Sequence, residues 1–374
     1  MDRREFLRTS GAAAAAASAA TVVTGPAAQA EPAKVAPAKS VPVKSPPPAP
    51  TILKGTQELR LAMPWPDGTS GLADQARRLG QRIGAMSEGR YRIVFVPATG
   101  DGLAAVRAGD ADLYHATEHD HLDAHRGLAY FAGLPGDCGI APHHLQAWLL
   151  VGGGQELWDD VAGDFGVKAL LAGHTGARSY FVATRRIETM SALAGEKASV
   201  RGLARDVVRG LGLEPVSVGG ADLAAAMARG DILAAEWGGA IASHSVGLRS
   251  VAPFSAGTSI NRHGAALSLG MRRVFWDGLG ASGQAVFAAA AAAELQLALA
   301  EEDAHRSLLW PQPSAQQTWP LTGELAHAIR RVADAVVAHA AGSDARARRI
   351  NASYETYRRM ALGDGASASR GDVA

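Results

Sequence analysis

The sequence predicts an α/β fold. Short apolar runs alternate with segments whose apolar residues recur every three to four positions, the pattern of strands joined by helices in mostly parallel sheets. With 374 residues, 47% of them hydrophobic, the chain can bury a substantial core, which argues for two lobes or domains. The sharpest local signal is LAAAMARGDILAAEWGG, residues 223–239. A helix ends at Gly230, a strand follows at once, and Glu236 and Trp237 arrive together where that strand finishes. A carboxylate beside a large aromatic builds one wall of a ligand cleft; read locally, it is equally a surface Glu next to a core Trp.

The elements follow in order. Arg3 and Arg4 precede Phe6 and Leu7, an Ala-rich apolar stretch and Ala28-Gln29-Ala30, which read as a Tat-type signal over residues 1–30 and as export to the periplasm by the Tat machinery. Residues 31–54 begin as EPAKVAPAKSVPVKSPPPAP, with no periodic apolar face, and form a Pro/Ala/Lys-rich linker of extended character. Strands are predicted at ELRLAMPW, YRIVFVPA, ADLYHAT, VKALLAG, RSYFVATR, EPVSV, ILAAEW and ALSLGM. Helices intervene, as in LADQARRLGQRIGAM and ARDVVRGLG, and two long ones close the chain before a Gly/Ser/Asp-rich tail, residues 363–374. Lys+Arg 37 against Asp+Glu 36 leaves no basic face, so nucleic acid is not a partner. Cys138 is the single cysteine, so no intramolecular disulfide forms, and it reads as a packed or loop residue. No P-loop, dinucleotide fingerprint, H-E-x-x-H or nucleophile elbow stands in a convincing context, which favours binding over catalysis.

Five features occur in a fixed order: Trp148 with the triplet Gly152-Gly153-Gly154 after a helix, the Thr175-Gly176 turn, the lead Leu193-Ala194-Gly195-Glu196-Lys197 into a strand, a helix closed by Gly230, and the Glu236-Trp237 pair. This succession resembles the solute-binding proteins of tripartite ATP-independent periplasmic (TRAP) transporters, and in particular the 2-oxo-acid-binding branch, over about residues 57–310. The resemblance implies a two-lobed, periplasmic-binding-protein-like fold (type II-like) with crossing hinge strands and long C-terminal helices. The solute-binding domain would span residues 55–362. Lobe I would take residues 55–175 with part of 265–300, and lobe II residues 176–264 with the C-terminal helices. It further implies a non-enzymatic carrier that hands a small organic acid to TRAP membrane permease subunits, and a possible homodimer through the C-terminal helices.

On the same resemblance, Arg178 and Tyr180 after the turn, Glu236 and Trp237, and Glu118 and His119 in a cleft-lining loop face the ligand. A guanidinium at Arg178 can meet a carboxylate through two parallel hydrogen bonds, although a strand-end arginine is also often solvated. Tyr180 and Phe181 face opposite sides of a strand, so only one of them reaches the cleft. Relatives usually carry a carboxylate-clamping arginine where this chain has Ser199; Arg201, two residues on, shares its face and recovers the role if the register allows. Glu236 in that branch helps to hold a divalent or sodium cation. With Arg178 beside it, that cation is disfavoured and an Arg178–Glu236 pair is expected, with no cofactor. Trp148 and Trp158 read as packing residues.

A rival lies in residues 117–125, TEHDHLDAH. His119, His121 and Asp123 match the start of the H-x-H-x-D-H signature of metallo-β-lactamase-like hydrolases, which would make the chain a periplasmic zinc-dependent hydrolase. Ala124 stands where that signature has its last His. A third reading, from the missing arginine at Ser199, is a binding-fold relic acting as sensor or scaffold.

The signal generates a test. Replacing Arg3 and Arg4 together by Lys should leave precursor in the cytoplasm on cell fractionation, and undiminished periplasmic protein would sink the assignment.

Overall fold

The computed structural model describes residues 55–66, 68–97 and 101–363, so the signal, the linker up to residue 54 and the tail from residue 364 lie outside the described residues. Ten strands form in chain order: β1 Gln57–Met63, β2 Tyr91–Pro97, β3 Leu113–Ala116, β4 Val167–His174, β5 Phe181–Ala183, β6 Lys197–Ser199, β7 Glu214–Val216, β8 Ala234–Glu236, β9 Phe254–Ser255 and β10 Ala266–Arg272. They make two five-stranded sheets, ordered β2-β1-β3-β10-β4 and β7-β6-β8-β5-β9, with helices packed on both.

The sheets are mixed rather than mostly parallel. In the first, β1 runs parallel to β2 and β3, whereas β10 is antiparallel to both β3 and β4. In the second, β6 runs parallel to β7 and β8, and β5 is antiparallel to β8 and β9. The reason is connectivity: the chain leaves the first sheet after β4, builds the second, and returns as β10 between β3 and β4. Local apolar pattern carries no information about such a return. The two sheets share one order, in which a strand arriving from the other sheet occupies the fourth place. No sequence repeat accompanies this, and β9, only two residues long, has no pattern of its own.

β10 is buried over its first six residues, as a central strand covered on both faces must be. The long helix Gly280–Leu309 lies against β4 beside it and reaches the helix Leu72–Met86, where Arg78 (2.6 Å) and Arg82 (2.8 Å) meet the fully buried Glu294. The helix Thr322–Gly342 divides its loyalty: Leu325, Ile329 and Ala333 join the second core, while Val337 and Ala340 join the first. The final helix, Ala345–Leu362, then packs on the first side through Ile350 and Tyr354, so the C-terminal helices do not belong to the second lobe alone.

The glycine triplet has a steric cause. Trp148, fully buried, lies near-parallel to Phe131, which in turn stacks on Trp158 with centroids 5.0 Å apart. A Cβ on Gly154 would stand 2.7 Å from the Trp148 ring, so the chain turns tightly around the indole only with glycine there. Both tryptophans are packing residues.

Gly239 is the tighter constraint. A Cβ there would run into the Thr175 carbonyl and the Glu302 carboxylate. Gly239→Ala should therefore destabilise the fold by about 2–4 kcal/mol in chemical denaturation, because backbone on one side cannot give way. Gly219→Ala, in open space, should cost far less.

Candidate functional site

Four parallel strands end toward one place. Trp65 follows β1, Thr117, His119 and Asp120 follow β3, Arg201 follows β6, and Glu236 and Trp237 close and follow β8. Outside the carboxyl ends of strands is where open α/β sheets bind ligands. Here these residues, with Leu72, Thr175, Ser179, Asn261 and Leu267, enclose an inner hollow of about 50 Å³, room for a molecule of a few heavy atoms. It adjoins a wider outer groove of about 640 Å³ that adds Ser199, Arg126, Arg205 and Asp206.

Glu236 and Trp237 serve different partners. The Glu236 carboxylate is buried and accepts the backbone N–H groups of Ile260 (2.8 Å) and Asn261 (2.9 Å), which ties the end of β8 to the loop before β10. Burial raises its pKa, and the two N–H donors oppose that rise. Trp237 turns its ring under the Arg201 guanidinium, 4.7 Å from the ring centroid, and Arg201 Nη1 also donates to Asp120 Oδ1 at 2.5 Å. One cation thus bridges a wall of the second sheet and a wall of the first. Glu302, from the long helix, accepts the N–H groups of Ala240 and Ile241 at the start of the helix Ala240–Ser245, just past Trp237.

The expected residues are distributed unevenly. Trp237, Glu236, His119 and Arg201 line the inner hollow, and Ser199 lies buried at the end of β6 in the outer groove. Arg178 does not join them. In the extended stretch before β5 it is Ser179 that faces inward, donating to the Gly238 carbonyl at 3.1 Å. Arg178 is exposed and lines a separate hollow with His143, Glu302 and Arg306, so the expected Arg178–Glu236 pair is not formed. Tyr180 likewise turns away and stacks on Trp310 at 4.5 Å. Alternation along extended backbone makes the neighbours 178 and 180 share the outer side. Asp120, Ser179 and Asn261 escaped notice; Asp120 sits in a dense acidic and histidine run, where nothing local marks which carboxylate turns inward.

Glu118 lines neither hollow. It accepts from Tyr114 Oη (3.0 Å) and pairs with His121 Nδ1 (2.7 Å), whose Nε2 lies 2.9 Å from Asp101. This network disposes of the zinc cluster. His121 is spent on two carboxylates, His119 Nε2 donates to the Gly133 carbonyl at 2.8 Å, and Asp123 is exposed. Among the described residues no three His, Cys, Asp or Glu side chains converge on a metal-holding position.

The model for bacterial extracellular solute-binding proteins, family 7 (DctP), matches residues 140–338. A monocarboxylate 2-oxoacid-binding periplasmic protein from Nostoc sp. is 29% identical over 201 residues, covering 52% of this chain and 54% of that protein. The chain thus spans about half the length of that relative. A TRAP transporter solute-binding protein from Bordetella bronchiseptica, solved with calcium and picolinate, superposes with TM-score 0.75 at 21% identity, covering 84% of this chain and 96% of that one. One from Pseudoalteromonas atlantica, with bound sodium and pyruvate, gives 0.72 at 22%, covering 86% and 100%. At these identities the two structures share the fold.

The buried network predicts a pH dependence. Burial alone would lower the His121 pKa, but Glu118 and Asp101 raise it from 6.5 to about 10. Its stabilisation is therefore fully present below pH 6.5 and is lost as pH rises through about 10. His121→Gln should cost about 3–5 kcal/mol near pH 6, because Glu118 is left buried beside a neutral side chain. Thermal melts from pH 6 to 10 should fall less steeply in the variant than in the parent.

Proposed function

The chain belongs to the bacterial extracellular solute-binding proteins of family 7, and we propose that it captures a small organic acid in the inner hollow and delivers it to a TRAP membrane permease. The observation that carries the reading is Arg201, stacked on Trp237 and paired with Asp120 where the walls of the two sheets meet. A guanidinium fixed by an aromatic face and a carboxylate keeps open donors for a second anion, and holding it in place beforehand lowers the ordering cost of binding. Arg201 thus takes the anchoring role first assigned to Arg178, in place of the arginine absent at Ser199.

Closure would bring the two walls together about the crossing segments, with the acid contacting both. The ligands bound by those relatives, pyruvate and picolinate, have the charge and the small size this reading requires. The carrier works in the periplasm after Tat export, with no chemistry on the solute, and pairs with a second copy through its C-terminal helices.

The solved relatives with pyruvate hold sodium or calcium. A cation at Glu236 is disfavoured. Each of its oxygens already spends one lone pair on a backbone N–H group, and calcium asks for about six to eight oxygen ligands. Repulsion from Arg178 is not the reason, since Arg178 lies elsewhere.

Arg201→Ala removes the anchor and leaves Asp120 uncompensated, so calorimetry should show acid affinity reduced about 10- to 100-fold, the equivalent of about 1.5–3 kcal/mol for a charged hydrogen bond. Arg178→Ala should bind as the parent does. Retained affinity in Arg201→Ala would refute the anchor.

A further inference from the structure

The inner hollow holds polar atoms that the protein itself leaves unmatched. Two are donors, the indole Nε1 of Trp65 and of Trp237; two are acceptors, Asp120 Oδ2 and Asn261 Oδ1. All four are buried, make no hydrogen bond, and belong to side chains that line the hollow. Trp65, Trp237 and Asn261 are each more than nine-tenths buried. Buried polar groups are ordinarily partnered, so four orphans around one hollow describe the ligand that completes them. That ligand both accepts and donates.

The charges sharpen this. Among the side chains lining the hollow, Arg201 is the cation and Asp120 and Glu236 are the carboxylates, while burial lowers the pKa of His119 and keeps its ring neutral. Arg201 already answers Asp120 through Oδ1. A plain monoanion entering here adds negative charge and leaves Asp120 Oδ2 and Asn261 Oδ1 facing its oxygens. A cationic hydrogen-bond donor satisfies both.

Resting on the acid-binding reading above, we propose that the solute is a small zwitterion, a 2-amino acid. Its carboxylate meets Arg201 and the indole N–H groups; its ammonium meets Asp120 Oδ2 and Asn261 Oδ1. The ammonium supplies within the solute the positive charge that a bound cation would otherwise bring. Specificity against the matching 2-oxo acid comes from the two acceptors, which an oxo group leaves unpaired and repels.

The test is calorimetry on the intact mature protein in sodium-free buffer with EDTA, using L-alanine against pyruvate and L-2-aminobutyrate against 2-oxobutyrate. Each pair differs at C2 alone. We expect the amino acid of each pair to bind at least tenfold more tightly. Asp120→Asn should lower amino-acid affinity at least tenfold. Because Asp120 also holds Arg201, Asn261→Leu serves as a second probe, removing the other acceptor with the Asn261 backbone N–H still on Glu236; it should lower amino-acid affinity at least threefold and lower it more than the affinity for the matching 2-oxo acid. Equal or tighter binding of the oxo acid overturns the proposal and leaves the acid-binding reading standing, as does oxo-acid binding that appears only when calcium or sodium is added. Amino-acid affinity unchanged in both variants overturns it too. If neither series binds under any of these conditions, both readings fall.

Discussion

A carboxylate buried against two backbone N–H groups sets the geometry on which the rest of the site depends. Glu236 ends β8, yet its oxygens hold the loop from which the chain returns to the first sheet. That bond fixes the direction in which Trp237 leaves the strand. Trp237 in turn seats Arg201, and Arg201 reaches Asp120 on the opposite wall. Glu302 steadies the same junction from the far side by accepting the first N–H groups of the following helix. Glu236 and Glu302 are carboxylates taken out of water and met by directed N–H donors, which makes the junction stiff where it is satisfied.

Polar groups around the site are used in two opposite ways. On the first wall, Asp101, His121, Glu118 and Tyr114 pair with one another, and Glu118 and Tyr114 face neither hollow. Immediately beside them, Asp120, Asn261 and two indoles keep atoms in reserve. Satisfied networks resist rearrangement, whereas unpaired buried groups cost free energy until something fills them. The contrast within a few residues of the run Glu118–His121 separates scaffold from recognition surface.

Much of this was legible in the sequence because it is locally encoded. Apolar runs marked the longer strands, Gly230 marked the turn before β8, and the glycine triplet beside Trp148 marked a close approach that the ring contacts now explain. What was not legible depends on partners far away in the chain. The antiparallel insertion of β10 is settled by strands about 100 and 150 residues earlier, so local pattern suggested sheets more parallel than they are. The choice between Arg178 and Arg201 turned on the parity of one extended segment, and a one-residue difference in facing moves a side chain from the hollow to its outer side. Asp123 and Glu118 carry the same chemistry as Asp120 on paper; a short 3-10 turn decides that Asp120 reaches Arg201.

The position of β10 has a consequence for how the chain is made. It is the fourth strand of the first sheet, and its Ser268 hydroxyl donates to the Ala116 carbonyl across 152 residues of sequence. Until that late segment has left the ribosome, β3 and β4 have no strand between them, and each presents a row of unpaired amides and carbonyls beside apolar side chains. Folding of the earlier-synthesised half therefore waits on the later one, and closing so long a loop is slow. The interval is one in which the nascent chain offers sticky edges to its neighbours, so this architecture calls for a chaperone or rapid completion more than its modest, evenly charged surface would suggest.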